Sequence, residues 1–76
     1  MPDRAARLQR RFGRTVHSER VARNLTQQKL AFESGLSLTY VGEVERGERM
    51  VSLDTVTRLA AAMNLTAADL LKKAGL

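Results

Sequence analysis

The stretch SGLSLTYVGEVERGER, Ser34 to Arg49, decides the fold, because its first half alternates like a strand while its second half trails off like the end of a helix. On a strand, Leu36, Leu38 and Tyr40 would share a face with Gly42, and the next apolar residues, Val41 and Val44, would break the alternation. On a helix, Val41 and Val44 stand at i and i+3 and fall below Leu36 on one side. The period is helical. Ser37 is a good N-cap and Gly47 a left-handed terminator, so the spacing predicts a helix from Leu38 to Arg46.

The same punctuation recurs on both sides. Upstream, QQKLAFES follows Thr26 as N-cap, turns Leu30 and Ala31 inward and stops at Gly35. Before it, Leu8, Phe12 and Val16 recur every four residues and predict a helix over about 4 to 23, with Gly13 weakening its middle and Asn24 and Leu25 ending it. Downstream, Ser52 caps a fourth helix with Leu53, Val56, Leu59, Ala60 and Met63 on one stripe and Asn64 at its end. A fifth starts at Thr66, with Asp69 placed to take orphan amides, and runs through LLKKA to Gly75. No repeat or linker intervenes. The expectation is one all-α domain over residues 1–76, a compact five-helix fold, with residues 1–11 a basic N-terminal extension of the first helix.

A chain of 76 residues buries only about 60–65% of its unfolded surface, so its core is small. There is no cysteine to staple it. No apolar run approaches the roughly 18 residues of a membrane span, and the start lacks the apolar core of a secretory signal, so a cytoplasmic protein without membrane contact is expected. The arginine-rich start has the composition of a mitochondrial presequence, but its removal would take a helix from a domain with none to spare. The net charge of +5 is uneven: residues 1–24 hold seven Arg against Asp3 and Glu19, residues 25–47 sum to −1, and the remainder to +1. Such a basic balance is the footprint of a polyanion partner or a device for solubility. His17 is the only histidine, Glu43 and Glu45 point to different sides of a helix, and no phosphate loop or metal-ligand spacing occurs. No catalytic role, metal or cofactor is expected.

The second and third helices, about nine and ten residues joined at Gly35, have the length pattern of a helix-turn-helix. Val41 and Val44 of the third helix point to the core. Leu38, Thr39, Gly42, Glu43 and Arg46 share the opposite face, which fits a major groove about 12 Å wide.

LTQQKLA, SGLSLTYVGEVERGER and SLDTVTRLAAAMNLTAADLL together resemble the Cro and phage-repressor helix-turn-helix family, also called the XRE family, over about residues 12 to 71. Within it, TYVGEVERGER and the VSL after Met50 look most like the controller proteins of restriction-modification systems. The resemblance implies a transcriptional regulator that binds palindromic operators in double-stranded DNA as a homodimer. Carried over by position, it implies base reading by Leu38, Thr39 and Glu43. It places phosphate contacts at Gln27, Ser37, Tyr40, Arg23, Arg46 and Arg49, and an ion pair between Arg20 and Glu45 that bridges the first and third helices. Tyr40 has packing as an equal alternative, Arg20 and Glu45 the alternative of two unrelated surface charges, and the three arginines that of mere solvation.

The sequence departs from the family pattern in two places. Glu19 stands where an apolar residue is usual, so the first helix is expected to pack less deeply or turn slightly there. Leu38 stands where Arg or His is frequent, which exchanges a guanine-reading donor for contact with a thymine methyl. Gly42 either admits close approach of the backbone to DNA or is structurally neutral. Leu70, Leu71 and Leu76, beside so small a core, are expected at a dimer interface. The alternative function is an antitoxin-like or adaptor module on the same fold. The −1 charge of the middle segment favours it; Gln27, Thr39, Arg46 and Arg49 favour DNA.

Overall fold

The computed structural model describes residues 3–76. Within them five helices follow one another: α1 (Asp3–Ala22), α2 (Gln27–Ser34), α3 (Leu38–Glu45), α4 (Leu53–Ala62) and α5 (Ala67–Lys73). The opening stretch is therefore helical, with Arg46 as the C-cap of α3 rather than its last turn.

Side chains of Thr26, Ser37, Ser52 and Thr66 accept from the backbone N–H groups of Lys29, Tyr40, Thr55 and Asp69, satisfying one orphan donor at each start. Each such cap contributes about 1 kcal/mol. Thr66 and Asp69 complete a reciprocal capping box, and bonds from the Thr66 backbone and hydroxyl hold the Asp69 carboxyl below its ordinary pKa. At the helix ends the chain reverses through left-handed residues: Asn24 (φ 58°), Gly35 (71°), Gly47 (75°) and Asn64 (59°). The next residues, Leu25, Leu36, Glu48 and Leu65, donate to Arg20, Ala31, Glu43 and Ala60. Asparagine serves in two of these turns because its short polar side chain tolerates the left-handed region.

The core draws on every helix: Phe12 and Val16 from α1, Leu30 and Ala31 from α2, Val41 and Val44 from α3, Val56, Leu59 and Ala60 from α4 with Met63 after it, and Leu70 from α5. Burying a Leu, Val or Met side chain contributes about 1.5–3 kcal/mol. Two expectations fail here. Leu53, assigned to the inner stripe of the fourth helix, is 82% exposed: it is the first residue of α4, and the helix turns Thr55 and Val56, not Leu53, into the core. Leu70, assigned to a dimer interface, has no exposed surface: α5 must bury it against α4 to close the core.

Gly13 does more than weaken α1. A Cβ there would collide with the carbonyl oxygen of Val44 and stand 2.8 Å from that of Glu45, so α1 lies flush against the C-terminal turn of α3 only because position 13 has no side chain. Gly47 repeats the device: its added Cβ would be 2.7 Å from the Arg10 Cγ, and its carbonyl accepts from Gln9 at 3.1 Å. Glu19 sits half-buried where α1 meets α5, salt-bridged to Arg23 at 2.8 Å and to Lys73 at 4.0 Å, while α1 continues unbroken to Ala22. Gly13→Ala should lower unfolding stability by about 1–3 kcal/mol in spite of alanine's better helix propensity, because the clash is with backbone. Denaturant titration checks it; a gain in stability would show that α1 can stand off from α3 without loss.

Candidate nucleic-acid interface

The α2–α3 unit is anchored to α1 through one carboxylate. Glu45 Oε2 accepts from Arg20 Nε at 2.6 Å, and Oε1 accepts from Arg20 Nη2 at 3.1 Å and from Gln27 Nε2 at 3.0 Å. Arg20 Nη1 donates onward to the Leu25 carbonyl at 2.7 Å. His17 Nδ1 lies 3.0 Å from Glu45 Oε1 and 3.1 Å from Arg20 Nη2, so its proton placement decides which of the two it bonds. The Arg20 and Glu45 side chains keep only 11% and 3% of their exposure. Burial pushes the Glu45 carboxyl up, but the hydrogen bonds from Arg20, Gln27 and His17 and the Arg20 charge outweigh it, leaving its pKa below the ordinary value. One side chain thus ties α1, α2 and α3 together.

Internal hydrogen bonds change the place of two residues implied for phosphate contact. Gln27 turns its amide inward to Glu45, so an anion at the start of α2 would meet the unpaired backbone N–H groups of the first turn before that side chain. Arg23 donates to the carbonyls of Met63 and Glu19, each at 2.9 Å, and to the Glu19 carboxylate. It fastens the end of α1 to the end of α4, because those carbonyls would otherwise be orphaned.

The outer face of α3 carries Leu38, 47% exposed, and the exposed Thr39. Glu43 stands beside them, its Oε1 3.1 Å from Arg49 Nε. Arg46 folds back over Gly42 and pairs with Glu48 at 3.1 and 3.2 Å. Gly42 is buried beneath that guanidinium: a Cβ there would stand 3.1 Å from Arg46 Nη1. Ser37 is occupied as N-cap, and the half-buried Tyr40 places its hydroxyl 3.2 Å from Thr55 Oγ1, linking α3 to α4. Leu71 is half-buried and Leu76 exposed. Sequence reasoning overlooked His17 in the Glu45 network, although its i, i+3 spacing to Arg20 was available. It also overlooked the pairing of Glu43 with Arg49, across six positions and a turn, which nothing local announces.

Short helices at the second and third positions, an internally braced turn and a polar outer face on α3 define a helix-turn-helix protein. The helix-turn-helix family model matches residues 16–70, and the chain belongs to that family of DNA-binding transcriptional regulators, in its XRE branch. It is similar to control protein C.SmaI of Serratia marcescens, 49% identical over 61 residues covering 80% of this chain and 73% of the relative. Control protein C.BamHI of Bacillus amyloliquefaciens is 43% identical over 61 residues, covering 79% and 75%. In three dimensions it is similar to the restriction-modification controller protein C.AhdI of Aeromonas hydrophila, with a TM-score of 0.78 and 44% identity over 80% of this chain and 92% of that one.

Because the Glu45 pKa is lowered on folding, its contribution to stability is fully present above its unfolded value of 4.5 and is lost as pH falls through the lower folded value. Glu45→Gln should flatten that acid limb of the stability curve. It should also cost about 3–5 kcal/mol at neutral pH by leaving Arg20 buried without its counter-charge. Denaturant midpoints measured from pH 3 to pH 7, about the range that brackets a carboxylate, check both; an unchanged acid limb would remove Glu45 from the account.

Proposed function

We propose that the chain is a homodimeric, sequence-specific regulator that reads palindromic operators in double-stranded DNA through the outer face of α3, in the manner of a restriction-modification controller. The single observation that carries it is the braced α2–α3 unit, whose outward side chains, Leu38, Thr39 and Glu43, are those that the inner network leaves free of the core. Leu38 suits a thymine methyl, and Glu43 suits the cytosine amino group. The rim supplies phosphate contacts from Arg46, Arg49, Ser37, Tyr40 and the first-turn amides of α2. A cytoplasmic site of action accords with this role; no helix among the described residues is long and apolar enough to cross a membrane.

Glu43 enters the groove already paired with Arg49. Glu43→Ala should therefore free Arg49, tighten binding to random duplex and lose about 1–3 kcal/mol of discrimination at one base pair of each half-site, while Glu43→Gln shifts that position toward adenine. Binding measured for all four base pairs at each half-site position tests the reading. Equal losses on every sequence would make Glu43 a structural residue.

For self-association, the support moves from Leu70 to an apolar groove of about 190 Å³ whose walls include Leu8, Met50, Val51, Leu53, Leu71 and Leu76. Leu53 and Met50 are 82% and 59% exposed, an apolar surface that water does not favour. A second copy is its occupant in this proposal, since a single helix-turn-helix buries too little DNA for tight specific binding. Leu53→Glu should convert the dimer to monomer and leave the fold intact. Sedimentation at tens of micromolar checks it, and a variant that remains dimeric would place the interface elsewhere.

A further inference from the structure

Seven arginines lie on α1, counting Arg23 just past its end, but only Arg20 and Arg23 have acidic partners: among the described residues Arg4, Arg7, Arg10, Arg11 and Arg14 form no salt bridge. All five are exposed. Arg4, Arg7, Arg11 and Arg14, at i, i+3, i+7 and i+10, fall on one side of the helix. They line two shallow concavities that share Arg11: one holds Arg4, Arg7 and Leu8, and the other runs past Arg14, Thr15 and Ser18 to Lys73 on α5. Neither contains a residue of α2 or α3. The one acid there, Glu19, is already salt-bridged to Arg23 and Lys73.

We propose that this groove, Arg4, Arg7, Arg11 and Arg14 with Lys73, is a second nucleic-acid surface that holds the phosphate backbone of duplex outside the half-site read by α3. The stripe extends for about 15 Å of helix axis, a length over which one DNA strand carries four to five phosphates at about 3.4 Å each. Guanidinium groups match phosphate oxygens in paired hydrogen bonds. The walls offer the Ser18 hydroxyl, that of Thr15 being donated to the Arg11 carbonyl, and, apart from Leu8, no large apolar side chain. Protein interfaces concentrate their energy in aromatic and apolar anchors packed in pockets, and this surface lacks them, so a polyanion backbone fits better than an acidic protein. Because it lies off the recognition helix, it adds affinity without reading bases.

The test uses the full chain. Arg4, Arg7 and Arg14 are changed together to Gln, leaving Arg11, which donates to the Gly75 carbonyl at 3.4 Å. The salt dependence of binding to random duplex should fall by about two to three units, at about 0.9 per phosphate released. Discrimination between base pairs should stay within about twofold of the parent, since phosphate contacts carry no sequence information. Lys73→Gln alone, on the opposite wall, should remove about one unit, which keeps the test open if the triple variant does not fold. Conversely, Thr39→Ala with Glu43→Ala should reduce discrimination to what Leu38 supplies and leave the salt slope on random duplex no shallower than the parent's, since Arg49 is freed. Three results would overturn the proposal: an unchanged slope in the folded triple variant or in Lys73→Gln, loss of all random-duplex binding in the Thr39 and Glu43 variant, or preference for polyglutamate over duplex at equal charge that the triple variant loses. Each of these leaves operator reading by α3 standing or falling on its own base-pair series.

Discussion

Everything that α3 offers to solvent depends on how its inner, C-terminal end is held, and Glu45 is the residue that holds it. Its carboxylate is nearly closed off from water, which without partners would cost several kcal/mol. Three side chains from two other helices offset that cost, and each bond fixes a direction. Gly13 acts on the same end by letting the backbones touch. A charge pair of this kind adds little net stability over an apolar substitute. What it adds is angle: α2 and α3 are oriented relative to α1 by bonds with defined geometry.

The outer face follows a different electrostatic logic. Its charges pair with one another, Glu43 with Arg49 and Arg46 with Glu48, while more than half of each arginine side chain stays exposed. Such pairs are worth little in water and screen readily with salt. They are exchangeable: a phosphate can take an arginine and a base edge can take Glu43 at small cost. The buried network is rigid and the exposed one adaptable, and the difference is desolvation.

Three surfaces are thus distributed over a domain only 35 × 24 × 21 Å in extent. The polar face of α3 lies on one; the apolar groove bordered by Leu8, Leu53 and Leu76 is another; the arginine stripe along α1 is the third. α1 contributes to all of them, through the bracing of Glu45, through Leu8, and through its unpaired arginines. A helix of twenty residues serves these ends because its faces turn through a full circle every 3.6 residues.

Sequence by itself determined the helices and their ends. Thr26, Ser37, Ser52 and Thr66 as caps, and Asn24, Gly35, Gly47 and Asn64 as reversals, act on backbone groups within a few positions, so their effect is written locally. The inward stripe of Val41 and Val44 was legible for the same reason, and the outward position of Thr39 and Glu43 came with it. The partnership of Arg20 with Glu45 entered through family resemblance, since no local pattern joins residues 25 apart. Tertiary structure alone decided that Gly13 is a contact and not a flaw, that Arg23 clasps Met63 rather than facing outward, that Gln27 turns toward Glu45, and that Leu70 is core while Leu53 is surface. Each of these depends on a partner distant in the chain. A glycine, an arginine or a leucine has the same local signature whether that partner is present or not, and only packing brings the partner within reach.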